Sequence, residues 1–270
     1  MQKLSITQAW NETAVFVKRD LGPLFTIAFA LMALPSIIMQ ALAPQPTPED
    51  PDVGAAFLLL LPVVIVLSLV GSIAITALAL RRETVVGSAI AHGFRRFLPL
   101  LGASLLIGIA AMLVMIPVIL AAGISLEDLT APTPAAVGGL MLAMLVLFVV
   151  FIAIWVRLML MTPVGTNEPV GPIAIIRRSW ALTAGHFWKL LGFVLLFGIA
   201  AVVVMMVITM VIGIVIGLVA GAPEPGSLSG LLLLIVGGVL NAAFVVFFTT
   251  MIARIYAQLA GAGTDAAVFD

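Results

Sequence analysis

Six stretches of about twenty residues or more carry no charged side chain: roughly 23–42, 55–80, 99–122, 137–156, 190–219 and 231–253. No other feature narrows the fold so far. A helix needs about 20 residues to cross a hydrocarbon slab of ~30 Å. Within that slab no water is available to backbone N–H and C=O groups, so only helices and closed barrels satisfy themselves. A barrel needs alternating segments of about ten residues, and none is present. The expected fold is all-α, a polytopic membrane protein with six transmembrane helices. Composition agrees, with 63% hydrophobic residues and 9% charged, where a soluble domain has roughly a quarter charged. No stretch is long and polar enough for a separate soluble domain, so 1–270 reads as a single membrane domain.

The charges that remain are sorted by side. The twelve Lys and Arg (positions 3, 18, 19, 81, 82, 95, 96, 157, 177, 178, 189 and 254) all fall at the helix ends shared with the two termini. The three opposite loops hold Glu49, Asp50, Asp52, Glu127, Asp128 and Glu224, and no cation. The positive-inside rule then places both termini in the cytoplasm. The first apolar run is of span length rather than signal-peptide length.

Before several spans the pattern turns amphipathic. Residues 1–19 hold Ile6, Trp10, Ala14 and Val17 at helical spacing; 84–97 hold Val86, Ile90, Phe94 and Phe97; 167–187 hold Ile173, Ile176, Trp180, Ala184 and Phe187. Each predicts a short helix lying flat in the membrane surface. Shifting the chain by 90 residues aligns 97–115 with 187–205 at twelve of nineteen positions, beyond chance for so restricted a composition. A shift of 170 pairs Trp10 with Trp180 and Leu21-Gly22 with Leu191-Gly192. The expected plan is three parallel repeats, about 1–82, 83–162 and 163–262, plus a polar tail at 263–270. Each would contribute an interfacial helix, a span in and a span out. Pro35 should kink the first span, and Thr162-Pro163 should end the helix of the fourth.

Several side chains could carry chemistry. Arg81, Arg82, Arg95, Arg96, Arg177 and Arg178 suit lipid phosphates, since a guanidinium presents a planar fork of donors; simple obedience to charge sidedness explains them as well. Trp180 joins them at headgroup depth, where tryptophan anchors helices. Arg157, Asn241 and Arg254 could line a polar vestibule; the arginines could equally snorkel, and the amide could bond between helices. Gly213, Gly217 and Gly221 follow small-xxx-small spacing and predict close helix packing. Glu83 and Glu168 precede surface helices, where a carboxylate caps an N-terminus.

Other classes are disfavoured. There is no cysteine, and His92 and His186 are the two histidines. No metal site or cofactor is expected, and no nucleotide-binding or catalytic motif is visible. The cations occur in ones and twos, unlike a nucleic-acid surface.

The stretch Glu168-Pro169…Ala174…Arg178-Ser179-Trp180-Ala181-Leu182-Thr183…Phe187-Trp188-Lys189-Leu190-Leu191-Gly192 resembles the membrane domain attached to some bacterial glycerophosphoryl diester phosphodiesterases. That domain also occurs as a stand-alone protein. The resemblance implies a bacterial cytoplasmic membrane location and a link to phospholipid metabolism. In the fused enzymes catalysis belongs to a soluble barrel for which this chain has no room, so no activity carries over. The expectation is a non-enzymatic module contacting membrane phospholipids, with a second copy or another membrane protein as partner. The alternative is a small transporter or lipid translocase with a polar cleft.

Overall fold

A computed structural model describes residues 4–42, 55–80, 85–121, 134–222, 224 and 226–261. Arg81, Arg82, Glu83, the acids of the first two opposite loops and the 263–270 tail lie outside them. The described residues are all-helical: α1 (Ile6–Arg19), α2 (Leu21–Ala28), a π-helical turn (Phe29–Ala33), α3 (Leu34–Leu42), α4 (Ala55–Leu80), α5 (Val86–Ala121), α6 (Pro134–Leu158), α7 (Met161–Asn167), α8 (Pro172–Ala184), α9 (Phe187–Ala220) and α10 (Leu228–Ala260). Six segments are long and apolar enough to cross a membrane: the continuous α2–π–α3, α4, α5, α6 running into α7, α9 and α10.

Proline shapes three of these. Pro35 has no N–H, so the turn before it widens: the Leu34 N–H bonds to Phe29 O, five residues back, as π-helical turns do. The expected distortion is thus a π turn. Pro99 and Pro117 sit inside an unbroken α5. The separate surface helix expected at 84–97 is therefore absent; its residues are the first turns of a 36-residue helix. A lone proline inside a span is tolerated where neighbouring helices pack around it. The equivalent stretch before α9 does break, at Gly185 and His186, where His186 leaves helical geometry with φ −129° and ψ 15°. Pro163 does not end a helix either. It lies in the first turn of α7, where a missing N–H costs nothing.

The packed core lies at the end carrying the basic residues. There α4 packs against both α5 and α10, and these three receive α1, α2, α7 and α8. One cluster joins Ile73, Leu100, Leu160, Val164, Ile175, Leu190, Ile255 and Tyr256. A second joins Phe16, Leu24, Ile27, Ala74, Ala89, Val246 and Ala253. Contact at Gly93 is backbone to backbone: a Cβ there would lie 2.8 Å from Val70 O. Toward the opposite end the helices loosen. Leu58, Leu59, Met112, Leu113, Met141 and Leu218 are exposed, and none of the most apolar window of α9 is buried. Lipid tails are as apolar as leucine, so exposure of these side chains carries no penalty in a membrane.

Both short helices at the basic end show the same rule. On α1 the buried residues are Ala9, Thr13 and Phe16, while Trp10 and Val15 are exposed. On α8 they are Ile175, Ser179 and Thr183, while Ile173 and Trp180 face out. The apolar stripes read from the sequence are each rotated about one residue from the face that packs. Small and hydroxyl-bearing residues let backbones approach, and large apolar ones are left toward the surroundings.

Candidate functional site

The basic end is built by helix termini. Helix α6 stops at Leu158, leaving C-terminal carbonyls in need of donors. The Ser179 hydroxyl donates to Arg157 O at 2.9 Å, and Thr183 Oγ1 lies 3.2 Å from the same oxygen. These residues are the Ser and Thr of the Arg-Ser-Trp-Ala-Leu-Thr segment, so that motif ties α8 onto the end of α6. The Arg157 side chain turns the other way. Its guanidinium lies 5.4 Å from the Trp180 ring and 5.0 Å from Phe187, and its buried Nη1 has no hydrogen-bond partner among the described residues. Stacking on aromatic faces replaces part of the solvation it loses.

Glu168 is not the cap it was expected to be. Gly171 takes the N-cap position of α8 with Pro172 following. The Glu168 carboxylate instead accepts from Tyr256 Oη at 2.9 Å and from Arg178 Nε at 3.3 Å, and Asn167 Nδ2 lies 3.4 Å from the same phenol. This group links α7, α8 and α10. His92 Nε2 is 2.9 Å from Thr166 O, and Arg254, 7% exposed, lies 5.0 Å over Phe16. At the edge, Asp20 accepts two bonds from Arg19 and raises its guanidinium pKa through that hydrogen bond, then through its charge. Arg19 stays charged at any physiological pH.

The remaining phosphate-binding candidates differ in what holds them. Arg95 and Arg177 are exposed and Arg96 half-buried, and none forms an ion pair with a described residue. Arg178 is held by Glu168. Trp10, Trp180 and Trp188 are exposed at the same end. The structure therefore gathers basic and aromatic groups there, with Arg178 committed to the fold.

A second feature lies inside the bundle. A cavity of about 400 Å³ opens among α4, α5, α6, α7 and α10. Its wall is mostly apolar, with hydroxyls from Ser72, Thr76, Ser104, Thr162 and Thr249 and no charged side chain. Apolar periodicity and charge placement do not single these residues out. The spacing of Ser72 and Thr76 places them on one face of α4, the signal that could have found them.

The expected vestibule of Arg157, Asn241 and Arg254 is not assembled. Neither arginine lines the cavity, and Asn241 lies thirteen residues from Arg254 along α10, ~20 Å at helical rise. Asn241 is exposed and makes no side-chain hydrogen bond to another described residue. At 3.6 residues per turn it points ~150° away from the exposed stripe Leu228, Leu232, Ile235 and Val239. It shares a face with Phe248 and Ile252, which line the cavity. The amide thus opens onto the cavity side, about 10 Å beyond Phe248. The glycine stripe is also only partly used. A Cβ at Gly213 would meet Leu233 at 3.7 Å, Gly217 faces open space, and Gly221 caps α9 with φ 84°. Among the described residues no group of three metal-ligating side chains forms.

A family model described as a domain of unknown function (DUF7847) matches residues 20–259. The chain belongs to that family. No curated protein and no solved structure matches it. The DUF7847 match takes in the six span-length segments to within one residue, the cavity and the Glu168 group, and leaves out the whole of α1.

Proposed function

We propose that this is a non-enzymatic membrane module of a bacterial cytoplasmic membrane, termini inside, that binds anionic phospholipid headgroups at the cytoplasmic leaflet. The observation carrying this reading is the set of cations at one end, Arg95, Arg96 and Arg177, that no described acid neutralises, beside outward-facing Trp180 and Trp188. Near an anionic surface each such cation contributes about 1 kcal/mol. The resemblance to the phosphodiesterase membrane domain supports the same lipid context.

The test is lipid retention. The chain is purified in mild detergent and its bound lipid read by native mass spectrometry, for the parent and for Arg95→Gln/Arg96→Gln/Arg177→Gln. Arg178 is left in place because Glu168 uses it. Loss of anionic phospholipid with an unchanged unfolding midpoint supports headgroup binding; undiminished retention overturns it. The cavity favours a second reading, a lipid translocase. That reading requires flux in proteoliposomes that Asn241→Leu abolishes.

A further inference from the structure

The basic end leaves the cavity unexplained, and its chemistry differs. We propose that the cavity binds the glycerol-ester head of a neutral diacylglyceride, whose acyl chains leave the protein between α5 and α6. This inference is independent of headgroup binding at Arg95, Arg96 and Arg177.

Three observations carry it. First, the wall has hydrogen-bonding groups without charge. Ser104, Thr162 and Thr249 have hydroxyls that reach no other described residue, so each can donate to an ester carbonyl. Thr76 is buried and donates to Ser72 O at 2.8 Å, while the Ser72 hydroxyl, half-buried in the lining, can accept from a glycerol hydroxyl. A phosphate would enter this wall with no Lys, Arg or His to meet it, and burying an uncompensated charge is strongly unfavourable. The lining therefore selects against phospholipid heads.

Second, the polarity is graded along the cavity. The hydroxyls of Thr76, Thr162 and Thr249 lie on the stretches of α4, α7 and α10 near the packed basic end. Toward the opposite end the lining becomes Ile107, Ala111 and Phe151. An amphiphile bound along this gradient keeps its polar head deep and its chains outward.

Third, the far rim is open. Ala111 on α5 is exposed and Phe151 on α6 is 64% exposed, at a level where both helices are apolar all round. The opening therefore faces hydrocarbon. At about 400 Å³ the cavity is within the usual size range for small-molecule sites. It equals the liquid volume of about thirteen waters, enough for a glycerol diester head and the first methylenes. Whole acyl chains do not fit and must exit through the gap.

Trp155 provides the readout, because it lines the cavity and stacks on Phe248 at 5.9 Å. A variant carrying Trp10→Phe, Trp180→Phe and Trp188→Phe leaves Trp155 as the sole tryptophan and keeps a ring over Arg157. It is placed in phosphatidylcholine vesicles containing a small fraction of diacylglycerol brominated near the ester end of its chains. The expected result is a saturable loss of Trp155 emission, well beyond that from brominated phosphatidylcholine at the same fraction, and reversed by unbrominated diacylglycerol. Ser104→Phe, which fills the cavity, should return quenching to the collisional level. Thr249→Val, which keeps the shape and removes a hydroxyl, should weaken binding severalfold. Equal quenching by both brominated lipids overturns the neutral-glyceride assignment, and so does quenching that Ser104→Phe leaves intact. If the tryptophan variant does not fold, native mass spectrometry of the parent chain with added diacylglycerol decides: absence of a diacylglycerol adduct overturns the proposal.

Discussion

Removing the two hydroxyls that hold the end of α6 should cost more together than the sum of the separate losses. Ser179 and Thr183 are both fully buried, and both reach Arg157 O, at 2.9 and 3.2 Å. Thr183 Oγ1 is also 3.0 Å from Ser179 O and 3.1 Å from Trp180 O. A hydroxyl donates once, so in the parent protein Ser179 is the main donor to Arg157 O and Thr183 a reserve. Ser179→Ala leaves that reserve and should cost about 0.5–1 kcal/mol, near the average of ~0.6 for a hydrogen bond between membrane helices. Thr183→Val keeps the shape and should cost about as little. With both gone, the partly buried carbonyl has no side-chain donor, and the penalty rises toward the upper end of the range of about 1–3 kcal/mol for an unsatisfied group, above the sum of the two single losses. The assay is a double-mutant cycle on unfolding in detergent, followed by tryptophan emission and circular dichroism. Additive effects, or a double variant as stable as the parent, would refute the reasoning and assign the Arg157 carbonyl another partner.

Two further outcomes are expected. Tyr256→Phe removes the phenol that donates to Glu168 at 2.9 Å and should destabilise by about 1–2 kcal/mol, toward the low end for a bond to a charged group. Combining it with Glu168→Gln should cost little more, and a fully additive double variant would show that the two residues act separately. The chain contains no cysteine, so single reporters can be introduced at the exposed positions Thr7 and Ala222. In intact cells stripped of the outer barrier, Ala222→Cys should react with an impermeant maleimide and Thr7→Cys only after permeabilisation; the reverse pattern overturns the proposed orientation.

Sequence and structure divide this protein along a physical line. The apolar runs at 55–80 and 231–253 are legible as spans because a bilayer imposes length and excludes charge, conditions one segment meets by itself. The structure returns Ala55–Leu80 and, extended at both ends, Leu228–Ala260. Which face of a helix packs is not a property of one segment. In water an apolar stripe turns inward, but in lipid that force vanishes and close approach of small residues decides. For that reason Ile175, Ser179 and Thr183 pack while Ile173 and Trp180 face out, contrary to the stripe read from periodicity. Breaks were equally undecidable locally. Pro99 leaves α5 whole, whereas Gly185 separates α8 from α9, because the packing around a proline determines whether its lost hydrogen bond matters. Tyr256 meets Glu168 across 88 residues, and hydroxyls from four helices converge on one cavity. By itself the sequence determined that six segments suit a bilayer and that the basic residues share one end. Only the tertiary structure decided which cations the fold consumes and that an uncharged, hydroxyl-lined space lies between the helices, since both depend on partners distant in the chain.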